Sequence, residues 1–283
     1  MQVKAPAKLN LTLDVLGLRE DGYHEMKMVM QSITLADTLT IVPGTGKSIR
    51  VATNLDFLPD GDKNLAAVAA RAYWKARGEE PRPLDITIEK CIPVCAGMAG
   101  GSSDAAAVLR GLNGQSEYPL SLAELARVGE AVGSDVPYCV LGCTALAEGR
   151  GEILTPLPPM PKCWVVVCKP DFSISTPALF AQIDNVKITC RPDTAGVLEA
   201  LEKGDLTGVA RRLYNVFEDA LPERQRSKVN GIKTTLIQCG ALGAAMSGSG
   251  PTVFGLFEDE NTARIAYEKL AGEYTETYLA QTV

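Results

Sequence analysis

A glycine-rich loop between a strand and an alanine-rich helix is the strongest constraint on the fold of this chain. The segment Leu84 to Leu112 reads LDITIEKCIPVCAGMAGGSSDAAAVLRGL, with Gly97, Gly100 and Gly101 in the loop. Glycines let backbone N–H groups converge on a bound anion, and the start of the following helix adds its N–H groups and positive dipole end. We interpret the loop as a phosphate cradle, with a close-packed helix entry as the alternative.

A second glycine cluster, in PGTGKSIR from Pro43 to Arg50, contains the Gly-Lys-Ser of a nucleotide-binding P-loop. A P-loop also requires a glycine five residues before the final Gly-Lys and a helix after it. That position is Ile41, and the following SIRVAT alternates like a strand. We therefore predict a tight turn at 44–46 between two strands, with Lys47 in solvent.

The composition favours a globular protein that binds small molecules. Hydrophobic residues make up 46% of the 283, which is enough for one large domain or two ordinary ones. The formal net charge of −6 and the lack of a basic run argue against a nucleic-acid partner. The N-terminus does not resemble a signal peptide, because its apolar core is interrupted by Lys8, Asn10 and Asp14. The sequence has no apolar span long enough to cross a membrane, so we expect no membrane partner. We expect a cytoplasmic protein of unknown oligomeric state.

The eight cysteines include two pairs separated by three residues, Cys91/Cys95 and Cys139/Cys143. Zinc sites more often use C-x2-C or C-x4-C spacing, and the residues between these pairs are mostly apolar. We therefore predict reduced cysteines that pack in the core as small hydrophobic residues, with a metal site as the alternative.

Hydrophobic periodicity and helix caps predict an α+β fold rather than a doubly wound parallel sheet. Strand-like runs fall at 2–5, 9–17, 29–35, 37–42, 48–53 and 85–89. Helices are predicted at 62–76 with Asp62 as cap, after Ser102–Ser103 to about 112, and after the capping box Ser121-x-x-Glu124. Later helices are predicted at 177–183, 194–201, 207–213, 224–239 and 261–272. The proline-rich segment 154–163 divides two predicted domains, 1–157 and 158–283.

Three motifs, in chain order, resemble those of the GHMP kinases, a family of small-molecule kinases. They are KAPAKLNLTLDV near the start, PVCAGMAGGSSDAA in the centre and GAAMSGSGPTVFGLF at 243–257. In the central motif Ala99 stands where the family more often has glycine, so its backbone must tolerate a Cβ. The resemblance covers nearly the whole chain. It implies an N-terminal domain like ribosomal protein S5 domain 2, a ferredoxin-like C-terminal domain and an active site in the cleft between them.

The resemblance implies an ATP-dependent kinase with an alcohol acceptor and with Mg2+ on the nucleotide. The stretches APAKLNLTLDVLGLREDGYHEM and GSDVPYCVLGCTALAEGRGEILTPL are similar to a branch of the family that acts in non-mevalonate isoprenoid biosynthesis. The acceptor in that branch is a cytidine diphosphate sugar alcohol. The alternatives are a homoserine or mevalonate kinase, a non-catalytic nucleotide or sugar sensor, and an RNA-binding protein, which the negative charge argues against.

The resemblance assigns ATP to the central loop. The loop residues are Pro93, Val94, Cys95, Ala96, Gly97, Met98, Ala99, Gly100, Gly101, Ser102 and Ser103. Asn64 and Lys90 match positions that border the adenosine pocket, with a first-turn helix residue and a surface lysine as the alternatives. The protein ligands of Mg2+ stay unknown, and Ser103 and Glu148 are candidates.

The resemblance assigns Asp135, in GSDVP, as the catalytic base, and the alternative is a turn aspartate bonded to its own backbone. Lys8 is expected beside Asp135 and the acceptor hydroxyl, where a cation keeps the carboxylate ionised and balances developing charge. A solvated strand lysine is the alternative. Asn10 shares a strand face with Lys8 and is expected to help fix the substrate.

A clamp for cytosine is the last assignment from the resemblance. Tyr23 is expected to stack on the base, His24 to bond its edge and Phe180 to close the other face. His24 is the single histidine of the chain, and a structural role is the alternative for it.

Overall fold

The computed structural model describes residues 1–46, 48–59 and 61–283, so the predicted exposure of Lys47 lies outside the described residues. The chain forms two compact units, each assembled from separate segments. Unit 1 comprises Met1–Ala7, Ala36–Ile92 and Ala99–Gly142, and unit 2 comprises Lys8–Leu35, Pro93–Met98 and Cys143–Val283. The predicted domain boundary at 157/158 stays a prediction.

Two long strands, β1 Gln2–Leu18 and β2 His24–Pro43, run through both units. A tight turn joins them, in which Arg19 N donates to Tyr23 O at 2.7 Å. The sequence predicted two shorter strands in place of each, because polar or irregular residues break the alternating pattern. The strands continue because residues at these breaks, such as Lys8 at 4% exposure, are buried in the sheet.

Unit 1 combines the second part of β2 with two more strands and a set of helices. Strand β3, Ile49–Thr53, runs parallel to β4, Leu84–Glu89, which pairs antiparallel with β2. Since β2 ends at Pro43 and β3 begins at Ile49, the predicted turn between two strands is confirmed. After a short 3-10 helix, Gly61–Lys63, come α1 Leu65–Arg77, α2 Gly100–Gly114, α3 Leu122–Glu130 and α4 Val136–Leu141.

Local sequence explains the ends of two helices in unit 1. Asn64, rather than the predicted Asp62, caps α1, because its side-chain oxygen accepts from Ala66 N at 2.9 Å while Asp62 lies in the preceding 3-10 turn. The predicted capping box of α3 is confirmed, with Ser121 and Glu124 bonded to each other's backbone N–H groups.

Unit 2 contains two sheets. In the first, β5 Thr144–Gly149 pairs with β2 and β6 Ile153–Pro156 pairs with β5, while β8 Tyr214–Asn215 runs parallel to β1. The second contains β7 Trp164–Lys169, β9 Gly243–Met246, β10 Val253–Phe257 and β11 Glu276–Gln281. Its order β11-β7-β10-β9 is fully antiparallel and is that of the predicted ferredoxin-like fold.

The helices of unit 2 agree with the predicted positions to within a few residues. They are α5 Thr176–Ile183, α6 Thr194–Glu202, α7 Leu206–Ala210, α8 Phe217–Ala220, α9 Glu223–Gln238 and α10 Glu260–Ala271. The short α8 was not predicted, because four residues carry too little periodicity. No helix in the described ranges is long and apolar enough to cross a membrane.

All eight cysteines lie in described positions as thiols, but only three are buried. The prediction of core packing holds for Cys139, Cys163 and Cys168 and is wrong for the exposed ones, Cys91, Cys95, Cys143 and Cys190. Cys95 and Cys143 have φ of 53° and 59°, so they occupy loop positions where flanking apolar residues do not imply burial.

Candidate active site

The first half of the predicted phosphate loop, residues 93–98 in unit 2, lies against the loop between β9 and β10. Ser247 Oγ donates to Gly97 O at 3.0 Å. Gly97 has a φ of 71°, and a Cβ there would lie 2.1 Å from Ser247 O. A Cβ at Gly248, whose φ is 57°, would lie 2.7 Å from Gly97 O. The central and third motifs therefore touch because both positions lack a side chain.

Lys8 and Asn10 lie beside this contact on β1, and their side chains are bonded to each other. Lys8 Nζ donates to Asn10 Oδ1 at 2.6 Å, and the two residues are 4% and 0% exposed. Lys8 N donates to Met98 O at 3.2 Å, and Asn10 N donates to Ser247 Oγ at 3.3 Å. Lys8 is therefore not the solvated strand lysine of the alternative interpretation. Its backbone N–H contacts the central loop at Met98, and a Cβ at Gly248 in the other loop would lie 3.2 Å from its ammonium.

The second half of the loop belongs to unit 1 and leads directly into α2. Ala99 has a φ of 58°, so the Cβ that departs from the family pattern sits in the left-handed region, at a cost of about 1–3 kcal/mol. Helix α2 begins at Gly100 without a side-chain cap. Its first N–H groups thus keep the donor capacity that a bound anion would use.

The two serines of the loop lie inside the first turn of α2 rather than before it, so they do not cap the helix. Ser103 is 0% exposed, and its hydroxyl donates to Pro6 O at 2.7 Å in unit 1. This bond ties the helix to the first residues of β1.

Lys90 is buried in unit 1, near the start of α2, and is not the surface lysine of the alternative interpretation. Its ammonium donates to Asp104 Oδ2 at 2.6 Å and also to Asp37 Oδ2. The three side chains are 5%, 6% and 0% exposed, respectively. The other oxygen of Asp37 accepts from Ile92 N at 2.8 Å. The cluster therefore joins β2, the end of β4 and α2.

Burial and the charges within this cluster shift the pKa values of two of its members. Burial is the main cause that raises the pKa of Asp104 to about 7, with Asp37 adding to the rise and Lys90 opposing it. Burial lowers the pKa of Lys90, but the two carboxylates outweigh it, so the pKa of Lys90 lies above its usual value. The Lys90 ammonium stays charged, and it donates hydrogen bonds to both carboxylates.

Asn64 and Asp135 both occupy the N-terminal positions of helices in unit 1. The Asn64 amide is engaged on both sides, since its oxygen caps α1 and its nitrogen donates to Pro59 O at 2.9 Å. Asp135 precedes α4 with φ −84° and does not cap it through its side chain. The roles of Asn64 at adenosine and of Asp135 as base stay predictions.

The predicted clamp residues lie together in unit 2. The His24 and Phe180 rings stack with centroids 4.7 Å apart and planes 27° apart, and Phe217 meets Phe180 edge-on at 5.0 Å. Tyr23 is 54% exposed, and the Arg150 guanidinium lies 5.0 Å from its ring centroid. The tyrosine, the phenylalanine and the histidine of the predicted clamp therefore all belong to one unit, and their role in binding a base stays a prediction.

Sequence models of two parts of one kinase family match this chain. The model of the GHMP kinases N terminal domain matches residues 64–143, and that of the GHMP kinases C terminal matches residues 197–276. Together they span more than half of the 283 residues. The chain is a GHMP kinase. The predicted family, the two-domain α+β fold and the class of ATP-dependent small-molecule kinase are confirmed.

This GHMP kinase is similar over its whole length to curated relatives named 4-diphosphocytidyl-2-C-methyl-D-erythritol kinase. That of Alkaliphilus metalliredigens (strain QYMF) is 43% identical over 282 residues, which cover 100% of this chain and 96% of the relative. That of Alkaliphilus oremlandii (strain OhILAs) is 45% identical over 281 residues, which cover 99% and 96%. A crystal structure of 4-(cytidine 5'-diphospho)-2C-methyl-D-erythritol kinase matches with a TM-score of 0.81 at 33% identity, covering 100% of this chain and 99% of that one.

The described residues of this GHMP kinase include no group of three or more His, Cys, Asp or Glu side chains placed to hold a metal ion. Of the two candidate ligands, Ser103 is bonded to Pro6 O, and Glu148 Oε1 lies 3.4 Å from Lys27 Nζ. Both side chains are engaged with other protein groups, so the protein ligands of Mg2+ stay unassigned.

Four residues with direct contacts at these loops and rings were not predicted as site residues. They are Asp37, Asp104, Asp184 and Ser247. For Ser247 a signal existed, since it lies in the third motif of the GHMP kinases. A signal existed for Asp104 as well, since it lies in the central motif. Asp37 and Asp184 carry no local signal, because their partners lie on other elements.

Proposed function

We propose that this GHMP kinase transfers the γ-phosphoryl group of ATP to the 2-hydroxyl of 4-diphosphocytidyl-2-C-methyl-D-erythritol. The observation that carries the proposal is 43–45% identity over nearly the full length with relatives of that name. Its partners are then ATP and a cytidine diphosphate sugar alcohol. A cytoplasmic location, the domains 1–157 and 158–283 and an active site in the cleft between them belong to the same proposal.

The glycine loop holds the phosphates of ATP in this proposal. Residues 93–98 are fixed by the contact between Gly97 and Ser247, and the uncapped first turn of α2 supplies N–H donors. Backbone donors at fixed positions stabilise negative charge without reorganising during the reaction. Asn64 and Lys90 border the adenosine, and Lys90 also keeps the start of α2 in place through Asp104.

Asp135 accepts the proton of the 2-hydroxyl as the acceptor oxygen bonds to the γ-phosphorus. The bond between that phosphorus and the β,γ-bridging oxygen breaks, and ADP leaves with the electron pair. Lys8, held by Asn10 at 2.6 Å, supplies positive charge to the transferred group. Mg2+ bound with ATP would neutralise charge on its phosphates. The protein ligands of Mg2+ stay unknown, with Ser103 and Glu148 as candidates only.

The experiment is ATP consumption with a panel of alcohols, namely the cytidine diphosphate substrate, homoserine and mevalonate. We expect stoichiometric ADP formation with the cytidine diphosphate substrate alone, with a new phosphate monoester in the product. Turnover of homoserine or mevalonate at higher kcat/KM would assign another activity within the family. ATP binding without turnover of any acceptor would indicate a sensor.

A further inference from the structure

We propose that Asp184 makes this enzyme select cytosine over uracil in its acceptor, by fixing which nitrogen of His24 carries the proton. This inference rests on the proposed function, and it assigns a positioning residue that contacts the histidine rather than the base. His24 Nε2 lies 2.8 Å from Asp184 Oδ1, and both residues belong to unit 2. The His24 side chain is only 10% exposed, so its ring orientation is set by protein contacts.

One helix holds the imidazole in two ways. Phe180 lies in α5, and Asp184 directly follows its last residue, Ile183. Residues four apart share a helix face, so α5 presents an aromatic face and a carboxylate on the same side. Phe180 stacks on the His24 ring while Asp184 bonds its Nε2 atom. Neither the ring plane nor its hydrogen-bonding edge is then free to rotate.

The carboxylate decides the tautomer. An ionised Asp only accepts hydrogen bonds, so the bond at 2.8 Å requires a proton on His24 Nε2. In the neutral imidazole, the other nitrogen, Nδ1, then has a lone pair and accepts. His24 therefore presents an acceptor on the edge that faces away from Asp184.

Cytosine and uracil differ at the group that such an acceptor would meet. Cytosine carries an amino donor at position 4, whereas the uracil-type ring carries a carbonyl acceptor there. Nδ1 pairs with the amino group and opposes the carbonyl oxygen, which leaves two acceptors facing each other. A base that lies in the imidazole plane is also within 27° of parallel to Phe180, so edge bonding and stacking are compatible.

The position of the proton can be observed directly, because the chain has one histidine. The first experiment is nitrogen-15 NMR of the imidazole, alone and with cytidine 5'-diphosphate, while a non-hydrolysable ATP analogue saturates the nucleotide site. We expect a protonated Nε2 and an unprotonated Nδ1, with the Nδ1 signal moving when the cytidine nucleotide binds. A proton on Nδ1 in the wild-type protein would overturn the inference.

The second experiment changes the carboxylate. The Asp184→Lys side chain carries only donors, so it can bond Nε2 only when that atom has the lone pair and Nδ1 has the proton. We expect the ratio of Kd for uridine 5'-diphosphate to Kd for cytidine 5'-diphosphate to fall about tenfold or more, with KM for ATP unchanged. Asp184→Glu keeps a carboxylate and should retain the wild-type ratio. The control is Asp171→Lys, at an exposed aspartate paired with Lys228, and it should change neither Kd.

The outcomes separate this inference from the proposed function. Turnover of cytidine and uridine acceptors with equal kcat/KM by the wild-type enzyme would overturn the role of Asp184 alone. So would a wild-type ratio in an Asp184→Lys protein whose nitrogen-15 spectrum shows the proton on Nδ1. Turnover of neither acceptor would overturn the proposed function, whatever the tautomer of His24.

Discussion

Lys90 Nζ donates to Asp104 Oδ2 at 2.6 Å, and both side chains are at most 6% exposed. The bond joins the residue after β4 to the second turn of α2. It therefore connects the two elements of unit 1 that precede and follow the glycine loop in the sequence. With Asp37 as a third member, the cluster places one cation and two carboxylates in a dry environment, where removal of one partner is costly.

Replacement of Lys90 by methionine should leave Asp37 and Asp104 buried without their cation. We expect Lys90→Met to lower the free energy of unfolding by about 3–5 kcal/mol, measured by urea denaturation. The matched control is Lys203→Met, whose exposed ion pair with Glu199 should contribute little, because solvent screens it. Equal losses in the two variants would show that the buried cluster does not stabilise unit 1.

The pKa of Asp104 predicts how stability depends on pH. Its folded value of about 7 lies above the ordinary 3.8, so the folded state binds this proton more tightly than the unfolded state. This contribution is complete below the unfolded pKa and is lost as pH rises through about 7. Asp104→Asn stays neutral, so its free energy of unfolding should fall less steeply than that of the wild type between about pH 4 and 7. Parallel curves from urea denaturation across this range would contradict the assignment.

Gly97→Ala should disturb the contact between the two glycine loops, because the new Cβ would lie 2.1 Å from Ser247 O. We expect the Kd for ATP to rise at least about tenfold, since a displaced loop costs more than about 1.4 kcal/mol of binding energy. The control is Gly78→Ala, which has a similar φ of 68° but nothing within 4 Å of the new Cβ. That variant should lose stability by about 1–2 kcal/mol and keep its ATP affinity.

Asp135→Ala removes the proposed base and leaves the glycine loop intact. We expect kcat to fall by a factor of about 100–10,000, while the Kd for ATP changes little. Steady-state kinetics and nucleotide titration measure the two effects separately. A kcat close to that of the wild type would remove Asp135 from the mechanism.

Tyr23→Ala removes a stacking surface that is 54% exposed. We expect KM for the cytidine acceptor to rise about fivefold or more, from a stacking energy of about 1–3 kcal/mol, with KM for ATP unchanged. Tyr118→Ala, at a tyrosine that is 77% exposed in unit 1, is the control. If KM for the acceptor did not change, an acceptor without a base would fit the site better.

Helix caps, hydrophobic periodicity and turn residues predicted the elements that are specified by a short continuous stretch of sequence. The capping box at Ser121 and Glu124, the strand–loop–helix around Gly97 and the C-terminal helices all follow from short patterns. The cap of α1 was misplaced at Asp62 because a 3-10 turn and a helix N-terminus share the same residue preferences.

The residues of the candidate site that lie in the quoted motifs were predicted from the family resemblance. Lys8 and Asn10 came from the first motif, and the structure places them in contact. The partners of Lys90 and His24 were missed because they lie far away in sequence, 53 positions for Asp37 and 160 for Asp184. Such pairs are created by tertiary packing. The residues around Asp37 and Asp184 do not distinguish these two carboxylates from the rest of the 34 acidic residues as partners of Lys90 and His24.

The contact between Gly97 and Ser247 also has a consequence for chains still on the ribosome. The ribosome synthesises Lys8, Asn10 and the whole glycine loop early. The hydroxyl that accepts from Asn10 N belongs to Ser247, which is added 237 residues later. A nascent chain that has reached only Cys239 therefore carries every residue of the central motif without the hydroxyl that holds it in place. We expect such truncated polypeptides to be inactive rather than weakly active, so incomplete translation would not release a partly functional kinase into the cell.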